Sequence, residues 1–146
     1  MERLNLCSYV EFGFMEAAKI EEHMVVANPT DLHWKPKETL PPGAMAANVY
    51  GDPTNGNYAF YGKFPTKYTV PQHWHTDDCM VAIIKGSMRI DPEDAASVNI
   101  QEGGFFKLPG QMRYVAHTPK ETIFLVWGTE PFDIHYANPK DDPRNK

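Results

Sequence analysis

Thirteen prolines and ten glycines are spread through 146 residues. From Trp34 onward they cut the chain into apolar or alternating runs too short for ordinary helices. The runs are Met45–Tyr50, Asn57–Phe64, Tyr68–His73, Met80–Ile84, Met88–Ile90, Gly104–Leu108, Met112–His117, Thr122–Trp127 and Phe132–Tyr136. Turn chemistry separates them, for example Gly51-Asp52-Pro53-Thr54-Asn55-Gly56, Gly86-Ser87, Gly103-Gly104 and Pro109-Gly110. Strands recurring at about 8–12 residues with such breaks predict an all-β sandwich or barrel. No helical pattern lies between the runs, which disfavours crossover α/β folds.

Residues 1–30 read differently and are expected to form an N-terminal extension, with one domain over residues 31–146. Ser8 and Glu11 have capping-box spacing, and Phe14, Ala17, Ala18, Met24 and Val25 suit one face of a helix. Gly13 weakens that pattern, and residues 8–14 suit an edge strand equally well. The Asn138–Arg144 stretch is polar and proline-broken, and reads as a solvated tail.

Charge narrows the function. With 14 basic against 19 acidic residues the net charge is −5, and no basic cluster offers a footprint for nucleic acid. No stretch approaches the roughly 18 apolar residues of a membrane span, and the N-terminus lacks a secretory pattern. Two cysteines, Cys7 and Cys79, make no disulfide framework and suit a reducing compartment, so a cytoplasmic protein is expected.

His73-Trp74-His75 is the first feature with chemistry. Strand alternation puts residues i and i+2 on one face, so both imidazoles point one way with Trp74 opposite. Two neutral imidazoles so placed are half of a transition-metal site, or simply a histidine pair in a core. Tyr58, Phe60, Phe106 and Trp127 fall in runs that would wall a pocket, and most such residues simply fill the core. No Lys or Arg falls at a predicted inward strand position, so no clamp for a phosphate or dicarboxylate is expected.

His73-x-His75, then three residues to position 79 and six more to Gly86, has the spacing of the first cupin motif. Gly103, Pro109 and positions 111, 114 and 118 have the spacing of the second. From about Leu32 to Arg144 the chain resembles small single-domain cupins. The resemblance implies a cupin jelly-roll β-barrel, a ligand pocket inside it and pairing as homodimers. The motif's glutamate position holds Cys79, its third histidine position Tyr114, its second glycine Gln111 and its final asparagine Thr118.

Three outcomes follow from those departures. A metal (Zn, Fe, Ni, Mn or Cu) binds through His73, His75 and Cys79, with Tyr114 as a further ligand or proton donor. Alternatively the pocket is metal-free and converts a small organic substrate by acid–base chemistry, with His73 and His75 as the titratable groups and Tyr114 supplying the hydroxyl, Tyr114 and His73 being the catalytic candidates. In the third, it binds a small molecule without chemistry. The first is the leading expectation, with oxygenase, isomerase, cyclase or lyase chemistry implied by the resemblance. Cys79 also reads as a small apolar core residue. His117, three positions beyond Tyr114, is a further pocket candidate, although parity places it on the opposite face.

Overall fold

The computed structural model describes residues 23–146. The expected helix or edge strand at residues 8–14 therefore lies outside the described residues, as does most of the N-terminal extension. Eleven strands follow in the described part: β1 (Lys35–Pro36), β2 (Met45–Asp52), β3 (Gly56–Phe64), β4 (Tyr68–Trp74), β5 (Cys79–Lys85), β6 (Met88–Pro92), β7 (Val98–Ile100), β8 (Phe105–Leu108), β9 (Tyr114–Thr118), β10 (Thr122–Gly128) and β11 (His135–Tyr136).

They form two antiparallel sheets, one of six strands in the order β1-β2-β3-β10-β5-β8, the other of five in the order β11-β4-β9-β6-β7. This is the jelly-roll expected from the sequence. Neither sheet closes on itself by hydrogen bonds, so the jelly-roll is built as a two-sheet sandwich. Alternation explains the layering. Along β10, Thr122, Phe124 and Val126 are buried while Ile123, Leu125 and Trp127 face outward. Along β3, Tyr58, Phe60 and Phe64 are buried in the same rhythm. Val70, Met88, Ile90 and Ala116 complete the core from the five-stranded sheet.

Two loops close over one region of the sandwich. Residues 37–44 are folded back by the Lys37 N–H donating to the Ala44 carbonyl at 2.9 Å. The loop is then tied to the five-stranded sheet, because the Tyr68 and Tyr136 hydroxyls donate to the carbonyls of Pro41 and Thr39. Residues 132–134, expected as the start of a strand, instead cross the region as an irregular segment before β11. Arg144 donates to the Ile134 carbonyl at 2.9 Å, so the C-terminal stretch read as solvated tail braces this segment.

Candidate functional site

The histidines reach the interior through a fault in β4. Tyr68 and Val70 are buried and Thr69 is exposed, so unbroken alternation would turn His73 outward. Pro71 lacks the N–H that a ladder needs, and the register between β4 and β9 shifts between Val70 and His73. The shift restores both His73 and His75 to the buried face, and it sets His73 opposite Tyr114 on β9.

Each imidazole is fixed by a backbone carbonyl. His73 Nδ1 lies 2.7 Å from the Pro71 oxygen and His75 Nδ1 lies 2.6 Å from the Asp133 oxygen. A carbonyl only accepts, so each Nδ1 carries the proton and each Nε2 presents a lone pair. The Tyr114 hydroxyl then donates to His75 Nε2 at 2.7 Å. The ring of Tyr114 also lies against His73, with centroids 4.2 Å apart. His73 Nε2 has no hydrogen-bond partner among the described residues.

These groups line a cavity of about 60 Å3 between the sheets. Apart from Lys37 and Cys79 the rest of its wall is apolar, with Phe60, Val81 and Phe124 from one sheet and Val70 and Ile90 from the other. Phe132 covers it from the crossing segment, its ring 4.9 Å from His75 and 5.2 Å from Phe60. Burial, reinforced by the neighbouring His75, lowers the His73 pKa to about 3. Burial likewise lowers that of His75, and it raises that of the Tyr114 phenol well above its ordinary value. At neutral pH the site is therefore two uncharged bases beside an intact phenol.

The structure brings His73, His75, Tyr114, Phe60 and Phe106 together on the cavity, and Cys79 lines it as well. Tyr58 is buried beside it, stacked on Phe60 at 5.8 Å, rather than on its wall. Trp127 is corrected to the outer face of the six-stranded sheet, because it follows the inward Val126 in strict alternation. His117 also faces away, its ring bonded to Asp91 at 3.0 Å and to Thr69 at 3.0 Å. Sequence reasoning missed Phe132 and Lys37, which reach the cavity from loops where alternation has no say.

The expected metal centre can be judged on its donors. Among the described residues no three His, Cys, Asp or Glu side chains converge closely enough to hold an ion, so His73, His75 and Cys79 do not form a ligand set. Burial, with the charge of Asp78 nearby, pushes the Cys79 thiol up to about 12, so without a metal it is a neutral thiol, and it does not converge with the two imidazoles. Two neutral imidazoles remain, one already engaged by Tyr114, and no carboxylate lines the cavity. A divalent ion would hold its charge uncompensated against an apolar wall, so these residues do not fit a metal.

A family model described as Domain of unknown function (DUF4437) matches residues 44–143. Among curated proteins none matches. Solved structures share the fold. The polyketide cyclase RemF from Streptomyces resistomycificus matches with a TM-score of 0.69 and 15% identity over 83% of this chain and 90% of that one. An RmlC-like cupin protein from Ralstonia eutropha matches with a TM-score of 0.64 and 19% identity, over 84% of this chain and 76% of that one. KdgF from a Halomonas species gives a TM-score of 0.57 and 17% identity, over 74% and 96%. Identities this low establish the cupin fold and carry no activity across.

Proposed function

We propose that this chain, which belongs to the DUF4437 family and has the cupin fold, is a metal-independent enzyme that moves protons on a small organic molecule. The observation that carries this reading is the Tyr114 hydroxyl, held 2.7 Å from His75 Nε2 beside the unengaged Nε2 of His73 in an apolar cavity. His73 is the base. Its lone pair takes a proton from a carbon next to a carbonyl, and the C–H electron pair passes into the enolate as the carbonyl oxygen gains charge. Tyr114 turns its O–H from His75 to that oxygen and stabilises it by a hydrogen bond. Its raised pKa suits a donor that keeps its proton.

His75 acts through Tyr114, holding the hydroxyl in position before substrate arrives. The imidazolium of His73 then returns its proton to another carbon, or the enolate expels a leaving group or closes a ring. Isomerase, lyase and cyclase outcomes thus share one proton-abstraction step. The enolate formed beside the His73 imidazolium compensates the charge that burial otherwise disfavours.

The test is solvent exchange in D2O with chelator-treated protein and a panel of small 2-oxo acids and β-dicarbonyl compounds, followed by proton NMR. Exchange at least about 100-fold above buffer is expected, falling by about that factor in His73→Ala and in Tyr114→Phe. Exchange that vanishes on chelation and returns with zinc, iron, nickel, manganese or copper would overturn the metal-independent reading. Panel members that bind without exchanging would make the protein a small-molecule binding module instead.

A further inference from the structure

We propose that Lys37 is the anion-recognition residue of this cavity and that its substrate is a small monoanionic acid, bound carboxylate outward and apolar body inward. The proposal rests on the reading of the cavity as a small-molecule site and names the class of molecule it takes. Among the described residues Lys37 is the only side chain with a formal charge at neutral pH on the cavity wall. Its ammonium sits over two aromatic faces, 5.4 Å from the Phe60 centroid and 5.5 Å from that of Phe132. The rings orient the cation without neutralising it. No carboxylate pairs with it among the described residues, whereas Lys107, Arg89 and Arg144 each have an aspartate partner.

Position supports the same role. Lys37, Ala46 and Phe60 line both the inner cavity and an outer recess of about 300 Å3. His33 and Lys35 also line that recess, and no acidic side chain does. In a chain of net charge −5, an approach whose charged side chains are Lys35 and Lys37 favours an anion. Lys37 is also held in place, since its loop is pinned through Thr39 and Pro41 by the Tyr136 and Tyr68 hydroxyls. Burial lowers the Lys37 pKa, and a carboxylate seated on the ammonium would oppose that shift.

Phe132 sets the substrate's reach. The same ring lies 5.5 Å from the Lys37 ammonium and 4.9 Å from the His75 ring, so the anion site and the Tyr114–His75 pair share one aromatic neighbour. An acid held at Lys37 would present a carbon a few bonds along its chain to His73 and Tyr114. The small, apolar interior leaves no place for a second charge.

Butanoate and hexanoate, each beside its neutral amide, are the probes, with binding read from amide chemical shifts of the full chain. Each acid is expected to bind at least about tenfold tighter than its amide, the gap narrowing at high salt. Lys37→Met, which keeps the apolar stem, should erase the preference while leaving amide binding within about twofold, and Lys37→Arg should retain it. Equal affinity of acid and amide for the wild-type chain, or a preference that survives Lys37→Met, would overturn the proposal. So would the absence of acid binding at about 20 mM.

The same titration on the wild-type chain, read beside its solvent exchange, separates this proposal from the proton chemistry. Acid preference without any exchange activity sinks the proposed reaction alone. Exchange on neutral ketones without acid preference sinks the anion site alone.

Discussion

Burial gives the buried residues of the site their charge states, and two measurements check this. The His73 pKa falls to about 3 from an ordinary 6.5. Between those values the unfolded chain takes up a proton that the folded chain does not. Stability is therefore full above pH 6.5 and declines as pH falls toward 3, by up to about 1.4 kcal/mol per pH unit for this one group. His75 adds to the decline in the same sense. Melting temperatures across pH 7.5 to 4.5 should fall steeply for the wild-type chain and less steeply for His73→Leu. Cys79 gives the second check. As a buried thiol pushed up to about 12, it should resist a thiol reagent at pH 8 and react only when urea unfolds the chain. Peptide mass mapping would read the site of labelling, and rapid native labelling would contradict the protonated, enclosed thiol.

At the scale of the elements, local faults matter more than regular strands. The Pro71-Gln72 irregularity turns two histidines inward, and the segment 132–134 provides the Asp133 carbonyl that fixes His75. The β2–β3 hairpin depends on a glycine in the same manner. Gly51 has a φ of +66°, and an added Cβ would lie 1.8 Å from the Asn57 carbonyl oxygen. Gly103 has a φ of +83° but open space around its Cβ direction. Gly51→Ala should therefore cost about 3 kcal/mol or more and Gly103→Ala about 1 kcal/mol. Urea midpoints of the two variants would show the difference. Similar losses would mean the hairpin relaxes around the clash.

For the whole molecule, the centre of the outer face of the six-stranded sheet is apolar, bordered by Lys63, Lys85 and Lys107. Trp127 and Leu125 are flanked across the sheet by Ala59, Tyr61, Met80 and Ala82, and Phe105 lies 5.9 Å from Trp127 while 58% exposed. Exposed apolar area of this kind marks an interaction surface, and with the pairing implied by the cupin resemblance we propose a second copy of the chain as its occupant. Light scattering should give about twice 16.6 kDa, and Trp127→Glu should halve that mass. A wild-type mass of 16.6 kDa would overturn the pairing. No helix of the described residues is long and apolar enough to cross a membrane.

The strand rhythm was open to reading because alternation and turn residues are local properties. Met45–Tyr50, Asn57–Phe64 and Thr122–Trp127 match β2, β3 and β10 within two residues. The pairing of His73 with His75 was equally legible, since i and i+2 share a face in any strand. The short strands β1 and β7 escaped, because two or three residues carry too little pattern to stand out. The partners of the histidines also lay beyond the sequence. A strand shows which residues share its own face but not which sheet lies opposite, so Tyr114 could be placed by motif position and its bond to His75 could not. Cys79 occupied a ligand position by spacing, yet its surroundings make it a protonated thiol. Lys37 and Phe132 sit on loops whose course is set by distant tyrosines and by Arg144. The sequence by itself determined the longer strands, the jelly-roll class and the shared face of His73 and His75, while the fault at Pro71 decided that this face turns inward. The tertiary structure alone decided protonation, access and the ligand face, because those depend on what packs across the cavity.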